Sequence, residues 1–96
     1  MFFQNNIKLF PFGRFVVCDR SMEPAFSDGD HVLTLNWTKS KAGDVVVFRK
    51  NEKNLLKRIE KIKDGKIFVK GDNQKFSLEI GPIESSRIIG KVILKY

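Results

Sequence analysis

The chain has a single cysteine, Cys18, and a single histidine, His31, in 96 residues. One thiol cannot close an internal disulfide, so cysteine usage carries no sign of an oxidising compartment. The same scarcity leaves no His/Cys cluster at metal-ligand spacing, and neither a metal nor another cofactor is expected. No apolar run approaches the roughly 18 to 20 residues needed to span a bilayer. Lys8, Pro11, Gly13 and Arg14 interrupt the apolar N-terminal stretch, which also lacks the charged, apolar and small-residue order of a secretory leader. Sustained helical periodicity is missing, as are repeats, linkers and low-complexity tracts. Neither a helix-turn-helix nor a sheet of stacking aromatics is discernible, so nucleic-acid binding is not expected.

What remains describes one soluble globular domain, 1–96, with its motifs between about 14 and 94. Hydrophobic residues make up 42% and charged residues 30% of the chain, and nine phenylalanines supply bulk for one modest core. The net charge of +7 is spread along the chain, with a mild concentration from Arg49 to Lys70. It reads as a solvated basic face that also permits peripheral contact with anionic lipid. The segment from Phe2 to Phe12 is expected to pack on the domain. A membrane-associated or cytoplasmic location without a transmembrane segment follows. Cys18, in the run Phe15-Val16-Val17-Cys18, reads as a small buried hydrophobe rather than a nucleophile.

Turn signals divide the chain into short strands. Strands are expected at Arg14 to Cys18, His31 to Trp37, Asp44 to Lys50, around Leu55 to Ile59, at Ile67 to Lys70 and at Arg87 to Leu94. Val45-Val46-Val47-Phe48 predicts burial on both faces. Lys63-Asp64-Gly65-Lys66 predicts a hairpin, because Asp-Gly accepts the positive φ angles of a type I′ turn. The prediction is a mostly β domain of short strands curling into a partly closed barrel.

Two residues suggest chemistry. Ser21-Met22-Glu23-Pro24, with Gly29-Asp30 soon after, presents a serine on a tight turn. In Leu55-Leu56-Lys57-Arg58-Ile59, strand alternation sets Lys57 on one face with Leu55 and Ile59 and turns Arg58 to the other. A lysine on an apolar face is costly unless it loses its proton. A neutral lysine beside a presented serine is the Ser-Lys form of the nucleophile–base pair, pointing to a serine protease. Arg58 cannot replace the base, because a guanidinium stays protonated. His31 reads as an ordinary strand residue.

Ser21-Met22-Glu23-Pro24 with Gly29-Asp30, then Gly43-Asp44-Val45-Val46-Val47-Phe48, Lys57-Arg58-Ile59 and Gly71-Asp72-Asn73 resemble, in order, the four boxes of type I signal peptidases and related serine-lysine processing proteases. The resemblance spans about Val16 to Val92. It implies an all-β catalytic core with Ser21 as nucleophile and Lys57 as base. It also implies Ser77, Asp72 and Arg58 as supporting residues, with Glu79 at a further acidic position. Ser77 is favoured over Ser86 for orienting Lys57, and Ile80 to Glu84 looks inserted. Val17, Leu55, Met22 and Pro24 are the substrate-binding candidates. The implied substrate is a precursor polypeptide with small residues before the cut, bound by strand addition along Arg14 to Cys18 and Asn54 to Lys57.

One residue departs from the pattern. Asp19 stands two places before Ser21, where the family carries serine or glycine, and a carboxylate there would oppose a developing oxyanion. Either Asp19 points away, pairing with Arg20 or another cation, or turnover is slow. The expected function is thus removal of signal or leader peptides. One alternative is a self-cleaving repressor-like protease, a class that carries an N-terminal DNA-binding domain and a cleavable linker, neither expected within these residues. A noncatalytic β-barrel interaction module is the other.

Overall fold

The computed structural model describes residues 11–36, 39–77 and 80–96. Within them lie β1 (Phe12–Val16), β2 (His31–Leu35), β3 (Val45–Lys50), β4 (Lys53–Lys63), β5 (Lys66–Lys70), β6 (Ile83–Glu84) and β7 (Ile88–Lys95). These strands form one antiparallel sheet in the order β1-β2-β7-β3-β4-β5-β6. The described residues contain no α-helix, only single 3-10 turns at Gln74–Phe76 and Ser85–Arg87. No helix among them is long and apolar enough to cross a membrane. The Phe2 to Phe12 packing expectation lies mostly outside the described residues, and Trp37 and Glu79 lie outside them altogether.

Two hairpins rest on backbone that few residues adopt. Asp64 and Gly65 have φ of 53° and 75°, the paired positive angles expected of a type I′ turn between β4 and β5. Asn51 and Glu52, at 53° and 64°, make the same turn between β3 and β4. Irregularities in the β2–β7, β3–β7 and β4–β5 registers bend the sheet.

The bend does not close a barrel. Among the described residues β1 pairs only with β2, and β6 only with β5, so the mostly β sheet is open and does not close into a complete barrel. β6 is two residues long and pairs through Lys66↔Glu84 and Ile67↔Ile83. It also shows that Ile80 to Glu84 is part of the sheet's packing: Ile83 is buried in the core and Ile80 packs against it.

The core joins Val46 and Phe48 of β3, Ile59 of β4, Ile67 and Val69 of β5, and Ile83. β3 is buried on both faces from Val45 to Phe48, as the apolar run predicts. Its antiparallel setting explains why: β7 and β4 flank it, Val46 and Phe48 face the core, and Val47 lines a cleft on the other side.

Candidate active site

Ser21 sits in a loop tied shut at its base. Val17 N–H donates to Asp30 O at 2.8 Å, and Gly29 N–H donates to Val17 O at 2.7 Å. Inside it, Phe26 N–H donates to Met22 O at 2.9 Å, and Asp30 Oδ2 accepts from Ser27 N–H at 2.8 Å. The Gly43-Asp44 turn repeats the device: Asp44 Oδ2 accepts from Lys41 N–H at 2.9 Å. Gly29 and Gly43 have φ of 92° and 94°, left-handed backbone that glycine adopts without strain. Both Gly-Asp pairs are therefore turn scaffolds.

The second turn fixes β4. Gly43 N–H donates to Ile59 O at 2.9 Å, Ile59 N–H to Asp44 O at 2.8 Å, and Arg58 Nη1 to Gly43 O at 2.9 Å. With Val46↔Lys57 in register across β3, the Lys57 side chain takes the core face, and Leu55 and Ile59 flank it there. Arg58 emerges on the opposite face and grips Asp72 through Nε and Nη2, both at 2.8 Å. That hydrogen bond, and secondarily Asp72's charge, raises the Arg58 pKa above its ordinary value. The bridge anchors the 71–73 turn, from which Asn73 N–H donates to Ser21 O at 2.7 Å.

These ties bring the two candidates together. Lys57 Nζ donates to Ser21 Oγ at 2.8 Å. Ser21 is 1% and Lys57 5% exposed, both very low for polar side chains. Burial drives the Lys57 pKa below its usual value, and the nearby Asp19 charge opposes that shift in part. A buried amine whose ammonium form is disfavoured, in contact with a hydroxyl, can accept a proton from it. Among the described residues no group of three or more His, Cys, Asp or Glu side chains could hold a metal ion.

The remaining sequence candidates lie around this pair. Ser77 Oγ accepts from Gly71 N–H at 3.2 Å, so its hydroxyl supports the turn under Ser21. Ser86 lies beside the far end of β5, since β6 pairs with Lys66 while Arg58 pairs with Lys70. Four residues of strand, about 13 Å, separate those ends. Val17 and Leu55 line a cleft of about 110 Å³ beside Asp19, together with Val16, Cys18, Val47 and Leu56. Met22 is wholly buried, its Sδ accepting from Asp72 N–H at 3.4 Å, and Pro24 is exposed; neither lines that cleft. His31 begins β2 and packs on Tyr96 at 5.5 Å between ring centroids. Cys18 corrects an expectation. β1 ends at Val16, Val17 turns inward, and Cys18 is left exposed at the cleft.

The Peptidase S24-like family model matches residues 13–93. The chain belongs to that family. Its S24-like character makes it a serine-type peptidase by kind and agrees with the open, mostly β sheet. The resemblance to signal peptidases thus holds at the level of the wider serine-lysine superfamily. No curated protein matches this S24-like chain.

Asp19 is the residue whose part the sequence left undecided. Arg20 does not take it: its Nε donates to both Glu23 carboxylate oxygens at 3.2 Å, and its guanidinium lies 4.1 Å from the Phe76 ring centroid. Asp19 turns to Ser21 instead. Its Oδ1 accepts from Ser21 N–H at 3.1 Å and from Ser21 Oγ at 2.9 Å.

Proposed function

We propose that the protein is a serine endopeptidase that removes a signal or leader peptide from a precursor polypeptide, with Ser21 as nucleophile and Lys57 as general base. The observation that carries this reading is the 2.8 Å contact between two almost wholly buried side chains. Ser21 Oγ attacks the scissile carbonyl as its proton passes to neutral Lys57; the lysine then returns that proton to the leaving amine. Water hydrolyses the acyl-enzyme by the same route. Asp72 and Arg58 hold the supporting turn, and Ser77 props Gly71 within it.

Two strand edges next to the dyad favour an extended substrate. Among the described residues β1 has no partner on the side away from β2, and β4 from Lys53 to Lys57 pairs only with β3, because β5 begins its pairing at Arg58. A peptide between them gains main-chain hydrogen bonds by strand addition. The cleft there holds about 110 Å³, well under the roughly 300 Å³ at which drug-sized pockets begin, and so suits small side chains.

A second reading, cleavage of a segment of its own polypeptide, is favoured by the family match being to S24-like peptidases. One experiment separates the two. A leader-bearing polypeptide with an Ala-x-Ala site is incubated with wild type, Ser21→Ala and Lys57→Ala, and products are mapped by mass spectrometry. Cleavage lost in both folded variants supports the dyad. A rate proportional to enzyme concentration supports action on another chain, whereas self-processing at a concentration-independent rate supports the second reading. Cleavage surviving both substitutions sinks the assignment. A folded wild type inert on every leader tried and on its own chain leaves the noncatalytic module.

A further inference from the structure

The Asp19 carboxylate stands where the chemistry requires a donor to be free. In acyl transfer the nucleophile's own backbone N–H is placed to stabilise the tetrahedral oxyanion. Here the Ser21 N–H is already spent on Asp19 Oδ1 at 3.1 Å. The same oxygen accepts the Ser21 hydroxyl proton at 2.9 Å, so the proton that Lys57 would take is directed away from it. The negative charge also favours the ammonium form of Lys57. With Ser21 only 1% exposed, a substrate carbonyl cannot approach Oγ until a neighbouring group withdraws. Asp19 is itself exposed and has solvent to withdraw into.

Resting on the Ser21–Lys57 reading, we propose that Asp19 is a built-in inhibitor: in the free protein it occupies the oxyanion position, and the substrate's scissile carbonyl must displace it. Displacement changes three things together. It frees the Ser21 N–H for the oxyanion, releases the hydroxyl proton toward Lys57, and removes the charge that favours the ammonium form of Lys57. Among the described residues, charged groups flanking the dyad are committed elsewhere. Arg20 is bonded to Glu23, Arg58 is bonded to Asp72 on the opposite face of β4, β3 contributes uncharged Val46 opposite Lys57, and Lys75 lies over the Phe76 ring. Cys18, the adjoining titratable group, directs its Sγ to Val16 O.

The test uses a fluorophosphonate probe, which forms a P–O bond to Ser21 with loss of fluoride as Lys57 takes the proton. Rates of labelling are followed by intact mass between pH 6 and 9 for wild type, Asp19→Ala, Asp19→Ser and Ser21→Ala. The two Asp19 variants should label faster by about 10²-fold, the scale of restoring one oxyanion donor. Their acid limb should also move to lower pH, because removing a neighbouring negative charge makes the ammonium easier to deprotonate. Folded Asp19 variants that label no faster, or more slowly, overturn the proposal. If no protein labels, the dyad reading itself has failed. The Lys57 13Cε titration by NMR then decides: a lower midpoint in Asp19→Ala upholds the Asp19 contact, and an unchanged one removes it.

Discussion

Gly71→Ala should disable the site while leaving most of the fold intact. A Cβ built on Gly71 would lie 2.7 Å from the Ser21 carbonyl oxygen and would also run into the Ser77 side chain. Ordinary contact begins at 3.4 Å, so the Ser21 backbone must recede by about 0.7 Å. Rotation can move Ser77 Oγ but not its Cβ, which also lies 2.7 Å away, and the Ser21 carbonyl is pinned by Asn73 N–H at 2.7 Å and has no rotamer to change. The displacement falls on Ser21, the proposed nucleophile, whose contact with Lys57 is 2.8 Å. A 1 Å misplacement of reacting groups costs about 10²-fold, so the variant should lose roughly 10- to 100-fold in kcat/KM. Overpacking should cost about 1–3 kcal/mol of stability. Peptide cleavage and fluorophosphonate labelling, measured well below the Tm of the variant, are the assays. Adding Ser77→Gly relieves the side-chain clash alone. A double variant with restored activity would refute the reasoning, since it would place the damage at Ser77 rather than Ser21.

Lys57→Arg should fail to rescue the cleavage lost in Lys57→Ala, because a guanidinium keeps its proton and cannot serve as base; product yield by mass spectrometry reads this directly. Cleavage should rise with pH through a midpoint below the usual lysine value of about 10.4, since burial depresses the Lys57 pKa. Stability should follow the same sign. The folded state binds fewer protons than the unfolded one between that lowered value and about pH 10.4, so denaturant midpoints should climb across this window, and Lys57→Met should flatten the climb. Asp72→Asn, which weakens the paired 2.8 Å contacts to Arg58, should cost about 1–2 kcal/mol in urea unfolding and reduce cleavage with it. Phe48→Ala, at a fully buried core position, should cost about 3–5 kcal/mol by the same measurement.

Local patterns made parts of this architecture readable in advance. The period of two through Leu55–Ile59 separated Lys57 from Arg58, and burial and hydrogen bonding divide them in that way. Asp64-Gly65 announced its hairpin because few other dipeptides adopt two positive φ angles. β6 escaped notice since two residues, Ile83 and Glu84, cannot display a period, and Gly81-Pro82 just before them reads as loop. The exposure of Cys18 depended on where β1 stops, and strand ends are poorly marked by composition. Barrel closure is a long-range matter that alternation within single strands does not encode. The direction of Asp19 was equally beyond reach. It follows from a loop closed by Val17 and Asp30, and from Glu23 having engaged Arg20 first. The four boxes, being shared by a wider superfamily, could not distinguish signal peptidases from S24-like peptidases.

Neighbouring residues of β4 reach in opposite directions to two halves of one structure. Lys57 holds Ser21, Arg58 holds Asp72, and Asn73 returns to the Ser21 carbonyl. A slip of β4 by one residue against β3 would exchange the two faces. It would press a permanently charged guanidinium into the apolar side and strand the lysine opposite a carboxylate built for a two-pronged grip. Misregistered pairing is thereby penalised at the very place where chemistry needs accuracy. The Ser21–Lys57 contact depends on strand alignment, and a chain that slips here loses the pairing on which the proposed chemistry rests.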